Sequence, residues 1–562
     1  MARKLLGQIL KERKIVQEGQ VQQALAKQRS QGGLIGQILI ELGHIDGNQL
    51  AIALGIQAGM EVVDLDEEPP QKDALGKVDP SLAALFRMIP HRLEGNTLIV
   101  VVADPSNTSV LDDIRFNTNL EVEAAIASPE AIDRVLKQVY GNVEESMKKG
   151  MASMKDALPA PTDGPLDLED KESMARAAPV VRLLNYIFFQ AIRDQASDIH
   201  LEPFEDDFRV RYRVDGVLYD LEAPPQHLAV ALISRVKVMS NLDIAETRVP
   251  QDGRIELMIG GRPVDIRVST LPTMFGESCV MRILDRSVVS LDIGQIGLDD
   301  QEMSTVLKLV DKPNGIILVT GPTGSGKTTT LYSALNHAND VGVKIITVED
   351  PIEYDIDGIV QIQIQEEIGV TYAKVLRTIL RQDPDKILVG EIRDAETAQI
   401  AIEASLTGHV VFSTLHTNDA PAAITRLLDI GIDPFLITAT LEAIVAQRLV
   451  RRICLECKTP YKPTAEILDK LDLTLEDVGN RTFYYGKGCE TCNFSGYKGR
   501  RGLFEIMVLN EALKQLILDG SSTDQLRRAA QEGGMRTLRE SGRLAVFDGS
   551  TTIEEVIKET QH

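Results

Sequence analysis

The sequence predicts an α/β fold: a parallel sheet carrying a glycine-rich loop, preceded by an α+β domain and by a helical repeat. Three observations carry that expectation. Residues 321–328 read GPTGSGKT, between an apolar run and a helical pattern. Segments 315–320, 344–348, 387–389 and 410–414 are continuous apolar runs, as strands buried on both faces of a parallel sheet are. Residues 5–57 hold two copies of one pattern, Leu5 of the first aligning with Leu34 of the second.

Length and composition bound the rest. A chain of 562 residues exceeds one core and implies about three to four domains. Apolar residues make up 43% and charged residues 25%, an ordinary globular balance. The formal net charge of −23 opposes a nucleic-acid groove as the main function, because such grooves are basic, and no nucleic-acid substrate is expected. No apolar run approaches the roughly 18–20 residues that span a bilayer, and residues 1–10 lack a signal-peptide core. The expected location is the cytoplasm, with attachment to a membrane through a partner.

In the repeat, 10 of 24 aligned positions are identical, among them Gly7/Gly36, Leu10/Leu39, Gln20/Gln49 and Gln28/Gln57. Each copy reads as a short helix, a turn and a second helix, and two such pairs would bury a shared face. Residues 97–103 (TLIVVVA) read as a buried strand. Ser128 and Pro129 read as the N-cap and first turn of a helix ending near Tyr140. Residues 146–176 are rich in Lys, Met, Asp, Glu and Pro, which predicts a linker. Beyond it a helix at 180–195 and strands at 208–215, 254–259, 263–269 and 278–284 predict an α+β domain. The expected organisation is therefore 1–145, a linker at 146–176, 177–290, and 291–562 with a cysteine-bearing insertion at 454–492 and a helical tail.

The loop 321–328 fits a phosphate-binding pattern. Gly321, Gly324 and Gly326 let backbone N–H groups curl around phosphate oxygens, and the following helix N-terminus adds its positive end. Pro322, Thr323, Ser325 and Thr329 complete the lining. Lys327 would reach the β- and γ-phosphates and Thr328 would offer a hydroxyl to Mg2+. Carboxylates for the metal and the attacking water are expected at strand ends: Glu349, Asp350 and Glu353 in VEDPIEY, and Glu391 and Asp394 in GEIRD. His409 and His416 flank the strand at 410–414. Cys454-x-x-Cys457 and Cys489-x-x-Cys492 form two knuckles, a structural Zn2+ pattern with no open coordination position. Cys279 stands in an apolar stretch and reads as a small buried residue.

Taken jointly, GPTGSGKTTT, ITVEDPIEY, ILRQDPDKILVGEIRD, SLTGHVVFSTLHTNDAP and QRLVRRIC, with ASDIHLEPFEDDFRVRYRVDG upstream, resemble the secretion and pilus-extension motors of the GspE/PilB type. The resemblance spans about 178–510. It implies a RecA-like ATPase core, a PAS-like α+β domain before it, and a homo-hexameric ring with ATP sites between subunits. It also implies an inner-membrane platform protein and its cytoplasmic adaptor as partners. By the same resemblance Glu353 acts as general base, Glu391 belongs to an atypical Walker B element near Mg2+, and His409 and His416 form a His box. Arginines of the α+β domain would reach the γ-phosphate: Arg209, Arg211 and Arg213 alternate along one strand and so share a face, and Arg267 and Arg282 lie on neighbouring strands. Which of the five act is left open. The repeat resembles a cyclic di-GMP-binding module. It departs from it at Leu5 and Leu34, where arginine is expected, and at Lys14, where the second copy keeps Gly43; without the arginines the dinucleotide loses a bidentate partner.

Two rival readings stand beside the motor that extends pili or secretes. A retraction motor is opposed by the cysteine insertion and the N-terminal extension. A nucleotide-bound scaffold with negligible hydrolysis would lack a base or a metal carboxylate.

Overall fold

The computed structural model describes residues 6–31, 35–78, 80–103, 111, 114–115, 118, 120–140, 174, 177–221, 224–259, 262–285 and 291–561. The expected linker at 146–176, apart from Met174, lies outside the described residues, as do Leu5 and Leu34. Packing divides the chain into two units, 1–288 and 289–562.

The first unit opens with the repeat, helices Leu6–Glu12 and Glu18–Gln31, then Ile35–Glu41 and Gly47–Ala58. Its internal identities have physical reasons. Gln20 Oε1 accepts the Gln17 N–H at 2.7 Å, and Gln49 Oε1 accepts the Asp46 N–H at 3.1 Å, so each closes the start of its second helix. A Cβ on Gly36 would lie 2.6 Å from Leu50 Cδ1, so a larger residue there would have to push that side chain aside. The turn at Gly43 (φ 68°) has its counterpart at Lys14 (φ 57°), which holds a side chain in the left-handed region. Ile9, Leu10, Val21, Ala24, Ile38, Leu39 and Ala53 share one buried cluster.

Strands β1 (Glu61–Val62), β2 (Met88–Glu94), β3 (Thr97–Val102) and β4 (Glu121–Ile126) follow in the order β1-β4-β3-β2. Ser128 Oγ accepts the Ala131 N–H at 3.3 Å and so caps helix Pro129–Tyr140. Helices Ala178–Arg193 and Ala229–Met239 accompany six antiparallel strands. These are β5 (Asp198–Pro203), β6 (Phe208–Val214), β7 (Val217–Asp220), β8 (Gln251–Ile259), β9 (Arg262–Thr273) and β10 (Gly276–Asp285), in the order β7-β6-β5-β10-β9-β8. Buried side chains between Val63 and Leu136 and between Val180 and Ile283 form one cluster, so the segments expected as separate domains share a core. Cys279 is fully buried within it, and burial pushes its thiol up to about 12.

The second unit is an α/β sandwich. Its strands are β11 (Gly315–Thr320), β12 (Ile345–Glu349), β13 (Val360–Gln363), β14 (Lys386–Val389), β15 (Val410–Leu415) and β16 (Leu441–Ile453). The pair β17 (Lys458–Tyr461) and β18 (Phe483–Gly486) follows, then β19 (Tyr497–Val508). The main sheet runs β13-β12-β14-β15-β11-β16-β19, parallel except for β19. Helices Lys327–Ala338, Tyr372–Ile379, Ala395–Leu406 and Ala420–Asp429 connect the parallel strands, with apolar cores on both faces of the sheet. That two-sided burial is why the strands lack alternation. Four helices, from Glu511–Leu518 to Ile553–Thr560, close the chain.

Glu505 of β19 ties this tail to the sheet. Its carboxylate accepts the Ala420 N–H at 2.8 Å and the Leu538 N–H at 3.3 Å, and so serves the N-termini of helices Ala420–Asp429 and Leu538–Phe547. Burial raises the Glu505 carboxyl to about 6 from 4.5, against the pull of those two N–H groups. A raised carboxyl pKa stabilises the fold fully below pH 4.5, and that contribution, about 2 kcal/mol, is lost as pH rises through about 6. We expect the Tm of wild type minus that of Glu505→Gln, measured by calorimetry from pH 4.5 to 7.5, to grow on acidification. A pH-independent difference would refute this account.

Candidate nucleotide site and cysteine cluster

β11 is fully buried and delivers the chain to a bend that only glycine tolerates at its key points. Gly321, Gly324 and Gly326 take φ of 151°, 80° and 89°. A Cβ on Gly321 would lie 2.6 Å from the Gln447 carbonyl oxygen, and one on Gly326 would lie 2.8 Å from Gln447 Nε2. The loop therefore rests directly on β16, and Gln447 is fixed there because Thr330 Oγ1 donates to its Oε1 at 2.7 Å. Pro322, Thr323 and Gly324 are exposed at the crest, while Thr328 and Thr329 are half-buried in the first helical turn. Ser325 is buried and its Oγ has no hydrogen-bond partner, so the cradle holds a polar atom in need of one. Lys327 Nζ donates to the carbonyls of Gly321 at 2.8 Å and Pro322 at 3.1 Å. Burial lowers the pKa of this ammonium; the nearby Glu391 charge opposes that and Arg448 adds to it.

Glu391 stands two residues beyond β14, at the same carboxyl edge of the sheet. Its Oε1 accepts from Arg393 Nη2, and its Oε2 lies 3.1 Å from His416 Nε2. Its side chain is 14% exposed, against 63% for Arg393 and 53% for His416. Burial alone would raise the carboxyl, yet Arg393 and His416 hold it below the usual glutamate value, so it stays ionised at neutral pH. The His416 loop is pinned to the phosphate loop's own strand: Thr320 Oγ1 accepts the Thr417 N–H at 2.9 Å and lies 2.7 Å from Thr417 Oγ1.

The remaining acids separate by environment. Glu349 ends β12 and is 4% exposed; it accepts from Thr347 Oγ1 at 2.5 Å, from Gln361 Nε2 at 3.2 Å and from the Tyr332 phenol. It is a satisfied internal carboxylate. Asp350 is exposed, and Glu353 follows on the half-buried loop beyond the strand. Asp394 caps helix Ala395–Leu406 by accepting the Thr397 N–H at 2.8 Å.

His409 is not brought to this site. It precedes β15 and contacts Ala404 O at 2.8 Å, at the amino edge of the sheet. The strand between His409 and His416 spans about 20 Å.

The arginines belong to the first unit. Register places Arg213, Asp198, Arg282, Arg267 and Arg254 in one row across β6, β5, β10, β9 and β8. Arg282 Nε donates to Asp198 at 2.9 Å, with Arg213 Nε at 3.8 Å on the other oxygen. Arg211 binds Glu202 at 2.7 Å, and Arg209 binds Asp207 at 2.9 Å while lying over the Phe204 ring. Two participants escaped sequence reasoning, Arg254 and Gln447. The signal for Gln447 was present, since a lone amide inside the apolar run LEAIVAQRLV must find a partner.

The four cysteines converge. Sγ–Sγ distances are 3.8 Å for Cys454–Cys489, 3.9 Å for Cys457–Cys492 and 3.7 Å for Cys489–Cys492, and all four sulfurs lie within 4.8 Å of one another. Burial opposes ionisation of Cys492, but the N–H groups of Cys489 and Gly496, at 3.2 and 3.3 Å, hold its thiol down at about 7. Between the knuckles lie β17, β18 and two short helices, Ala465–Asp469 and Leu475–Val478, packed on Val546, Ile553 and Val556 of the tail.

A family profile described as "Type II/IV secretion system protein" matches residues 173–558. The chain belongs to this family. A second profile, "MshEN domain", matches residues 58–146. The type IV pilus assembly ATPase PilB of Myxococcus xanthus is 42% identical, over 99% of this chain and 98% of its own. The type II secretion system protein E of Xanthomonas campestris pv. campestris is 41% identical, over 98% and 97%. Among solved structures, the ATPase DotB of Legionella pneumophila shares the fold, with a TM-score of 0.50 at 20% identity over 66% of this chain and 94% of that one. The chain is thus a secretion ATPase, which uses ATP and Mg2+.

For this secretion ATPase the pressure of the loop on β16 is directly testable. Gly326→Ala places a Cβ against Gln447 and forces a left-handed alanine, at about 1–2 kcal/mol. The Kd of a fluorescent ATP analogue is expected to rise about tenfold or more; an unchanged Kd would show that the bend is not held by that contact.

Proposed function

We propose that the chain is a ring-forming motor, a homo-hexamer, that hydrolyses ATP to drive type IV pilus assembly or type II secretion. It would act at the cytoplasmic face of the inner membrane on a platform protein and its cytoplasmic adaptor. Among the described residues no helix is long and apolar enough to cross a membrane, which suits attachment through such partners. The observation that carries the reading is the ionised Glu391, held beside Lys327 at the carboxyl edge of the sheet by Arg393 and His416. It is supported by likeness along nearly the whole chain to a PilB and to a secretion protein E.

In this reading Gly321–Thr329 bind the phosphates, Thr328 and Glu391 hold Mg2+, and Glu353 takes the proton of the attacking water. Bound Mg2+ supplies charge neutralisation of the phosphates. His416 fixes Glu391, whereas His409 supports the far end of β15. Two or three of Arg209, Arg211, Arg213, Arg267 and Arg282 would stabilise the γ-phosphate. Residues 1–145 would form the regulatory module. Cyclic di-GMP as its effector rests on the repeat's resemblance, and calorimetric titration of the full chain with the dinucleotide decides it. A Zn2+ ion would tie the cysteine insertion together: tetrahedral Zn–S bonds of about 2.3 Å place sulfurs about 3.8 Å apart, which is the spacing of the Cys454–Cys489 pair.

Two measurements test these roles. Glu353→Gln should lower ATP turnover by about 10²–10⁴ while ATP still binds with wild-type Kd. Wild type that hydrolyses no ATP even with its platform partner present would end the motor reading. Elemental analysis should find one zinc per chain, lost in Cys489→Ser together with a drop in Tm; chelation that leaves Tm and turnover untouched would remove zinc from the account.

A further inference from the structure

Tyr332 stands in helix Lys327–Ala338, one turn after Thr328, and is fully buried. Its phenol oxygen makes two hydrogen bonds whose directions are forced. The Glu349 carboxylate can only accept, so Tyr332 donates to it. The Glu353 backbone N–H can only donate, so Tyr332 accepts it, at 3.3 Å. Burial, then the charge of Glu349, then the hydrogen bond between them raise the phenol pKa well above the tyrosine norm, so it keeps its proton.

The segment after Glu353 is held from its other flank by the same anchor. Gln361 donates to Glu349 at 3.2 Å and to Tyr354 O at 3.0 Å, and accepts the Ile356 N–H at 2.8 Å. The Tyr354 ring stands edge-on to Tyr332, with centroids 6.3 Å apart. Residues 353–356 thus hang between Tyr332 and Gln361, and both are fixed by one buried carboxylate. An apolar pair would fill the space of Tyr332 and Glu349 without burying a charge. What it would lack is a directed acceptor for the Glu353 N–H.

We propose that Tyr332, anchored on Glu349, is a positioning residue for hydrolysis that holds the Glu353 backbone in register with the helix gripping the phosphates. The proposal rests on the reading of Glu353 as the base. It couples two elements that must be aligned for water to attack: the helix N-terminus bearing Lys327 and Thr328, and the loop bearing the proton acceptor. Small misplacement of a base costs rate steeply and ground-state binding little.

The test is Tyr332→Phe in the full chain, which keeps the ring and removes the hydroxyl. The expected result is a kcat lower by about tenfold or more with KM for ATP within about twofold. Glu349→Gln, which replaces one of the two acceptor oxygens shared by Tyr332, Thr347 and Gln361 with a donor and so weakens the anchor, should shift kcat and KM in that same sense and serves if Tyr332→Phe does not fold. In a Glu353→Gln background Tyr332→Phe should cause no further loss of residual turnover, because the group being positioned is already gone. A purely structural role would raise KM and reduce turnover equally in both backgrounds, and would overturn the proposal. Wild-type kcat in Tyr332→Phe, with Glu353→Gln inactive, overturns this proposal alone. Full turnover in Glu353→Gln overturns the reading of the base and this proposal with it.

Discussion

The bend between β11 and helix Lys327–Ala338 is the constraint on which the second unit depends. Gly321, Gly324 and Gly326 all take positive φ, the conformation in which a loop can curl its N–H groups around an anion. The same bend leaves no room for a Cβ at Gly321 or Gly326, because β16 lies directly beneath. β16 is therefore the floor of the phosphate site as well as a strand of the sheet, and the Thr330–Gln447 hydrogen bond locks floor to helix. On the other side Thr320 joins the end of β11 to Thr417, so the segment carrying His416 cannot drift from the loop. A parallel sheet gathers its carboxyl-end loops along one edge. These two cross-links turn that general placement into a defined one.

Electrostatics within that edge follow burial. Burial pushes the Glu391 carboxyl up, and Arg393 and His416 outweigh it and hold the group below the usual glutamate value. Both partners are largely exposed, so each holds the carboxylate from the solvent side at small cost in desolvation. Lys327, partly desolvated, gains from the same negative charge. Glu349 is the contrasting case. It is more deeply buried, yet three donors saturate it, so its charge is spent inside the protein. Two glutamates at the ends of adjacent parallel strands thus have opposite uses, one facing the site and one bracing it.

Much of this was legible in the sequence, and the limits were geometric. The parallel strands were readable because burial on both faces removes polar residues altogether. The phosphate loop was readable because its backbone demands glycine at fixed intervals. VEDPIEY showed three carboxylates in five residues, but only strand register separates Glu349, still inside the sheet, from Asp350 and Glu353 beyond it. His409 and His416 separate for a related reason: two histidines flanking one strand look equivalent in sequence, whereas a strand has two ends and only His416 lies at the end that meets Glu391. Tyr332 could be seen as a polar atom in a buried helix, but its partners lie 17 and 21 residues away, on the next strand and the loop after it. Residues 1–145 and 177–290 looked separate because composition reveals a linker and is silent about packing across it.

The arginine row shows what register adds to periodicity. Alternation along β6 put Arg209, Arg211 and Arg213 on one face, and direct cross-strand pairing then aligns Arg213 with Asp198, Arg282, Arg267 and Arg254. Like charges opposed on a sheet repel, so the row depends on its carboxylates, and these are not shared evenly. Arg211 makes a close contact with Glu202, and Arg254 holds Asp265 with two nitrogens. Arg213 and Arg282 divide the single buried Asp198, at 3.8 and 2.9 Å. If one of these two turns outward, the other still neutralises Asp198, so no buried charge is left alone. Releasing Arg211 or Arg254 would strip a carboxylate of its close partner, which costs more. Arg209 and its partner Asp207 are both exposed, so that pair parts cheaply as well; of the arginines that hold shielded carboxylates, Arg213 and Arg282 are therefore the two that can reach an external anion with least loss to the fold.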